Sequence, residues 1–400
     1  MTVLSTLGSH GSHGSHGSHG SHGSHGSHGS HGSHGSHGSH GLGHYDSSGL
    51  TDALITTRDG ITGPWVLPGT TPAEHDGENA SNLEKWSPRV RGAVIDFEIA
   101  NRLAFTTNPS PPASPPDQAD DMSRTAMLWH TGVPSGTPPS AQMFEIAKFD
   151  RPSDAFFKLQ MKYLEHWAEL RPDRAVEILE QLQSPAPFLA SIAFMRADTK
   201  RWTMELLDTV IRLARLVEYR FKHSLACRRP NEYSPQVQPI IMTPGHGTLP
   251  SGHATEAFAA ATLLLRLLKD TEKPPYCDTA YVIQFMRLAA RIAINRTVAG
   301  VHFPIDSVAG AMLGVTLANY LYARSHPTAG QRMYNAYHFD GAAADDRDFD
   351  WTDVCDAAAL NVKVGGGHPS MKDYKSGIDL GADQSLILEW LWKKAKSEWT

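Results

Sequence analysis

The sequence predicts an all-α fold, a helical bundle packed around one core, and three observations carry that prediction. From Trp86 onward, apolar residues recur at three- and four-residue intervals over most of the chain. The segments with this period start and stop near proline, serine, aspartate or threonine, as helix ends do. No run of alternating β-branched residues exceeds a few positions. With 400 residues, 40% hydrophobic and 20% charged, the chain can bury a core for one large or two medium domains.

Residues 1–43 stand apart. The triplet GSH repeats eleven times between Gly8 and His40 and holds half of the 22 histidines. Gly and Ser make a flexible coil, so a disordered tail is expected there, with imidazoles that bind zinc, nickel or copper weakly. Residues 44–121 read as a loop-rich segment with one helix, Trp86 to Leu103, whose Val90, Ala93, Val94, Phe97 and Ala100 share a face. It ends in TTNPSPPASPPDQADD, a polyproline-like linker from Thr106 to Asp121.

Residues 122–326 read as the helical catalytic domain. Helices are expected at about Ser140 to Phe149, Ser153 to Leu170, Arg171 to Gln183, Pro187 to Met195, Thr199 to His223, Ser251 to Asp270, Thr279 to Asn295 and Pro304 to Ser325. Residues 327–400 read as an irregular stretch to Lys375 and a final helix from Gln384 to Glu398. Leu386, Ile387, Trp390 and Leu391 give that helix an apolar stripe for core packing or an oligomer contact.

Net charge of -6 offers no basic excess for a nucleic-acid partner. The longest apolar stretches, Ala257 to Leu265 and Val308 to Ala318, are too short to span a membrane, and MTVLSTL has neither part of a secretory signal. Three cysteines without a CxxC suit a reducing compartment. Together these lead to the expectation of a soluble, cytoplasmic protein.

Three short segments carry polar groups that a plain bundle does not need. In KHSLACRRP, Lys222 and Arg229 lie seven residues apart, so a persisting helix projects both from one face until Pro230 stops it. Basic residues at a helix C-terminus also suit the macrodipole, and Cys227 reads as packing. In TPGHGTLPSGHATEAF, prolines and glycines deliver Ser251, Gly252 and His253 to the start of an apolar helix, where free N–H groups bind anions. Ser251 serves equally as a helix cap. In NRTVAGVHFPID, Arg296 precedes His302 by six residues and Asp306 follows it by four. A carboxylate one turn from a histidine can hold one ring nitrogen and leave the other as nucleophile or metal ligand.

Taken together, K-x6-RP, PSGH and R-x5-H-x3-D resemble the signature of one superfamily. It unites type-2 phosphatidic acid phosphatases, bacterial class A acid phosphatases and vanadium-dependent haloperoxidases. The match falls on Lys222, Arg229, Pro230, Pro250, Ser251, Gly252, His253, Arg296, His302 and Asp306, over about 85 residues, and departs at Asn295, where the family usually has serine.

The resemblance implies that Lys222, Arg229, Arg296, Ser251 and Gly252 bind the oxyanion of phosphate or vanadate. His302 is then the nucleophile, or the axial ligand to vanadium; His253 is the opposite acid or base, and Asp306 orients His302. His246, seven residues before His253, resembles a second histidine of the bromoperoxidases. The leading expectation is therefore a vanadium-dependent haloperoxidase that oxidises bromide or iodide with hydrogen peroxide, its cofactor vanadate. The alternative is a soluble phosphatase without a cofactor, acting on a phosphomonoester through a phosphohistidine. The second alternative is a non-catalytic oxyanion- or metal-binding protein. Resemblance also implies a homodimer.

Overall fold

The computed structural model describes residues 48–67, 69, 76–108, 124–137, 140–381 and 383–400. The GSH tail and most of the proline-rich linker lie outside the described residues. Two units, Met1–Asn82 and Leu83–Thr400, divide the chain. In the first, α1 (Ser48–Ile61) stands where a loop is expected. Its interior from Leu50 to Asp59 contains neither glycine nor proline, so nothing there breaks a helix.

The second unit begins with α2 (Pro88–Ala100), β1 (Leu103–Thr107), β2 (Thr125–Thr131) and β3 (Met143–Asp150). There follow α3 (Asp154–Ala168), α4 (Arg171–Glu180), α5 (Ala186–Ala193), α6 (Arg201–Leu225), α7 (Pro230–Tyr233), α8 (Gly252–Thr271), α9 (Thr279–Val298) and α10 (Pro304–Arg324). The chain closes with β4 (Met333–Phe339), β5 (Cys355–Asp356), β6 (Asn361–Val362), β7 (Met371–Asp379) and α11 (Leu386–Ser397).

The body is therefore helical but not all-α. A five-stranded sheet runs in the order β1-β2-β3-β4-β7, with β3 and β4 parallel and the other neighbours antiparallel. Strand β3 replaces the helix expected from Ser140 to Phe149. It is interior to the sheet, and Ile146, Ala147 and Phe149 are all buried. A strand covered on both faces loses the polar alternation by which strands are recognised. Strand β4 likewise buries Tyr334, Ala336, Tyr337 and Phe339 within the stretch expected to be irregular. Because β1, β3 and β4 come from three different expected segments, the boundaries at 121 and 326 fall inside one unit.

Helices α8 and α10 form the centre. Every residue of α10 is buried, as an all-round apolar helix requires. Its Gly310 and Gly314, one turn apart, let the backbones meet. A Cβ at Gly310 would stand 2.6 Å from the Ser251 carbonyl oxygen, and one at Gly314 2.4 Å from that of Thr255. This close approach sets the N-terminus of α8 against the first turn of α10. The sheet packs on the far side through rings such as Phe149 and Phe221, 4.4 Å apart. Helix α11 buries Leu388, Leu391, Trp392 and Ala395 and leaves Leu386 exposed, so its stripe lies one position away from the expected one and serves the core. Among the described residues no helix is long and apolar enough to cross a membrane.

Candidate active site

The site forms where the C-terminal ends of α6 and α9 meet the N-terminal ends of α8 and α10. Lys222 lies in the last turn of α6, which ends with Ala226 in the left-handed region at φ 49°. Arg229 is thus not on the helix with Lys222, contrary to the spacing argument. It sits in extended backbone just before α7, whose first residue is Pro230. The Lys222 ammonium donates to the Thr248 carbonyl at 3.1 Å and to that of Pro250, which anchors the loop leading into α8. Two backbone bonds of 2.9 Å complete the assembly: Thr248 N–H to the Cys227 carbonyl and Ser251 N–H to the Asp306 carbonyl.

His302 stands at the entrance to α10 between two partners. Its Nδ1 is 3.0 Å from Asp306 Oδ2, and its Nε2 is 3.0 Å from Arg229 Nη1. The carboxylate is an acceptor and the guanidinium a donor, so Nδ1 carries the proton and Nε2 the lone pair. Asp306 Oδ2 also accepts from the Phe303 N–H at 2.9 Å and from Thr248 Oγ1 at 2.5 Å. Arg229 donates further to the Val301 carbonyl at 2.8 Å and the His246 carbonyl at 3.0 Å.

The opposite side is less complete. Arg296, fully buried at the end of α9, places only Nη2 in hydrogen bonds, to Gln181 Oε1 at 2.9 Å and to the Ile178 carbonyl at 3.3 Å. Its Nε and Nη1 have no partner among the described residues, and neither has the buried Ser251 Oγ. Ser251 occupies the N-cap position of α8 yet caps nothing with its side chain, which sets aside the capping role. Buried donors are rarely left unpaired. Three such atoms beside a helix N-terminus fit a tetrahedral oxyanion, phosphate or vanadate alike. His253, one residue inside α8, is half-buried.

Burial dominates the acid–base behaviour. His302 is held well below the usual imidazole range by burial and then by Arg229 and Lys222, and His253 by burial and then Arg296. Burial lowers Lys222 to about 8, against the opposing pull of Glu218. It raises Asp306 to about 6, opposed by the Thr248 and Phe303 hydrogen bonds. Both histidines are therefore neutral near pH 7, as a nitrogen nucleophile must be.

All nine residues expected at the site line this junction or its rim. His246 is at the rim, exposed, with Nδ1 3.1 Å from Arg229 Nη2. There it borders a cleft of about 430 Å³ lined also by Cys227, Asn231, Thr243 and Pro244. Sequence reasoning missed Thr248, Gln181 and Glu218. Thr248 was visible as the residue two before Pro250, and Glu218 as an acid one turn before Lys222; nothing in the sequence links Gln181 to Arg296. Asn295, the departure from the family pattern, is buried and donates to Gln181 Oε1 and to Glu177 Oε1, both at 3.0 Å. It thereby steadies the Gln181 that holds Arg296.

These features define a buried, cation-lined junction of helix ends with a histidine whose Nε2 lone pair faces Arg229. Residues 205–339, which contain all the motif residues, match the model of the PAP2 superfamily, and this stretch is a PAP2-superfamily region. Over 88 residues, 21% of this chain, the sequence is 36% identical to diacylglycerol pyrophosphate phosphatase 1 of Saccharomyces cerevisiae. The alignment spans 30% of that relative's own length. A solved structure from Bacillus subtilis, described as the first transmembrane PAP2 type phosphatidylglycerolphosphate phosphatase, is similar at 20% identity and a TM-score of 0.33. That match covers 42% of this chain and 84% of the other. The yeast relative is named as a phosphatase, and the haloperoxidase branch expected from the sequence draws no support from it. That no described helix is long and apolar enough to cross a membrane does not establish the expected cytoplasmic location.

Proposed function

We propose that the protein is a phosphatase that hydrolyses a phosphate ester through a phosphohistidine at His302. The observation that carries this reading is the polarity of His302: Nδ1 is tied to Asp306, and Nε2 presents its lone pair beside Arg229. In the first step Nε2 attacks phosphorus and the ester P–O bond breaks, with His253 delivering a proton to the leaving alkoxide. Because His253 is neutral in the free site, that proton arrives with the substrate or is taken up as the phosphate dianion binds. In the second step water attacks the phosphohistidine, His253 accepts its proton, and phosphate leaves. Lys222, Arg229, Arg296, Ser251 and the Gly252 N–H stabilise the charge that spreads over the equatorial oxygens.

The ester is proposed to be amphiphilic, of the general kind named for the two relatives. In support, the rim carries exposed apolar surface. Tyr219 lies 5.2 Å from the His246 ring, and Met242 four residues before His246 is 93% exposed. Vanadate would be held by the same residues, His302 among them, and would supply a Lewis acid toward peroxide. Among the described residues none favours that use, since His246 is engaged with Arg229 and Tyr219, an arrangement that serves a phosphatase equally.

The test is rapid quenching with a radiolabelled phosphomonoester. An acid-labile, base-stable phosphoenzyme is expected in the parent protein and absent from His302→Ala. Turnover in the parent with no phosphoenzyme, or unaltered turnover in His302→Ala, refutes the assignment.

A further inference from the structure

Beneath the cage lies a carboxyl group that the proposed hydrolysis does not use. Glu218 is on α6, one turn before Lys222, and is 2% exposed. Its side chain presses on the first residue of α8. A Cβ at Gly252 would stand 2.4 Å from Glu218 Oε1 and 3.1 Å from Oε2. Oε2 has no hydrogen-bond partner among the described residues. A carboxyl group is thus lodged beside the helix N-terminus and the ammonium that the oxyanion itself requires.

The surrounding charges are few and identifiable. From α6, Lys222 and Arg215 face Glu218; from α8, Glu256 does; and Arg229 acts from the segment before α7. Arg215 is already paired with Glu256 through bonds of 2.8 and 2.9 Å, which leaves Lys222 as the principal counter-ion of Glu218. Burial raises Glu218 to about 8, opposed by Lys222. Above that value, and before an anion binds, a charged Glu218 balances Lys222. Once a phosphate dianion is in the cage, the same carboxylate is a like charge in a medium of low dielectric, and like charges there favour protonation of one partner.

Resting on the oxyanion-site reading above, we propose that Glu218 is the internal counter-anion of the cage and takes a proton when a phosphate dianion enters. The balance is carboxylate plus dianion plus one proton giving a neutral carboxyl and the bound dianion, and the proton returns to solvent when phosphate leaves. The residue thereby acts through Lys222 and Gly252 as a positioning and charge-setting group, and it selects ligands that bring or tolerate an extra proton.

The experiment is calorimetric titration of the full chain with inorganic phosphate, at pH near 8, in two buffers of different ionisation enthalpy. The parent is expected to take up protons on binding, and Glu218→Gln to take up fewer, by up to about half a proton at this pH, where Glu218 is already half protonated. Above that pH, phosphate affinity of the parent should fall more steeply than that of Glu218→Gln, by up to about tenfold per pH unit. His253 and Lys222 also titrate at the site and remain in Glu218→Gln; because Lys222 there loses the pull of Glu218, the difference reports Glu218 together with its effect on Lys222. If Glu218→Gln does not fold, the infrared difference spectrum of the parent with and without phosphate replaces it. A protonated-carboxyl stretch must appear on binding and shift in Glu218→Asp. Equal proton uptake in parent and Glu218→Gln, or no such stretch, overturns the inference while leaving the phosphate site intact. A parent that binds no phosphate overturns the oxyanion reading and this one together.

Discussion

The two walls of the cage are built to different standards of completeness. On the His302 wall, Arg229 spreads its donors over Val301, His246 and His302, and Asp306 gathers three donors on one oxygen. On the Arg296 wall, two guanidinium nitrogens and the Ser251 hydroxyl are buried without partners. The first wall is assembled in advance, and the only rearrangement its Nε2 requires is release of the Arg229 hydrogen bond before attack. The second holds buried donors that find no partner among the described residues, as the proposed anion site requires. Leaving a buried donor unpaired costs about 1–3 kcal/mol, so this wall lowers stability in exchange for affinity.

The largest expected effect tests the His302 wall, whose donors are all paired although Asp306 Oδ1 has no partner among the described residues. His302→Ala should lower phosphatase kcat by about four orders of magnitude or more, the scale for losing a covalent nucleophile; a loss below tenfold removes His302 from that role. Next comes the acid. His253→Ala should cost about 10²–10⁴-fold with an alkyl phosphate and much less with an aryl phosphate, whose leaving group needs no proton. Equal losses with both esters would place His253 in binding instead.

The arginines sharpen the contrast directly. Arg296→Met should weaken phosphate binding by about 2 kcal/mol or more while leaving the thermal stability of the free protein unchanged or raised, since it removes an incompletely bonded buried cation. Arg229→Met should weaken binding and also destabilise the free protein by about 2–3 kcal/mol, because the carbonyls of Val301 and His246 lose their donor. Thermal melts with and without phosphate separate the two cases, and matching melting shifts for the two variants would erase the distinction.

A smaller effect follows pH. Lys222 titrates in the folded protein near 8, below its ordinary value, so its positive charge is present below that pH and is lost as pH rises through it. Phosphate affinity should fall by about an order of magnitude on this limb, read by competition with a chromogenic ester. His302 and His253 act on the acid side. Their folded values lie below 6.5, so stability from them is full above that value and declines as pH falls below it, the unfolded chain then binding more protons. Asp306, raised to about 6, opposes this trend between its unfolded and folded values. Bound phosphate should restore acid stability by holding protons on the histidines.

Much of the site was legible because its residues are close in sequence to the helix ends that present them. Ser251, Gly252 and His253 open α8, His302 and Asp306 flank the start of α10, and Arg296 closes α9. Helices α3 to α6 and α8 to α10 were legible for the same reason, their period and their proline and glycine punctuation being local. The sheet was not. Its β3 is covered on both faces and β4 pairs with it across nearly two hundred residues, so neither the alternation nor the partner is visible locally. The seven-residue spacing of Lys222 and Arg229 suggested a shared helix face, yet a left-handed turn at Ala226 places them on separate elements that converge only in space.

The sequence by itself determined the chemical inventory: a cationic, histidine-bearing oxyanion site carried by helix ends, which follows from residue type and local spacing. Tertiary structure alone decided which of those groups are saturated and which stand open, because that depends on the meeting of α4, α6, α8 and α10. Only the fold brings Gln181 to Arg296, Thr248 to Asp306, and Glu218 to Gly252. Their energies come from burial and from partners distant in the chain, and neither is written in any short stretch of residues.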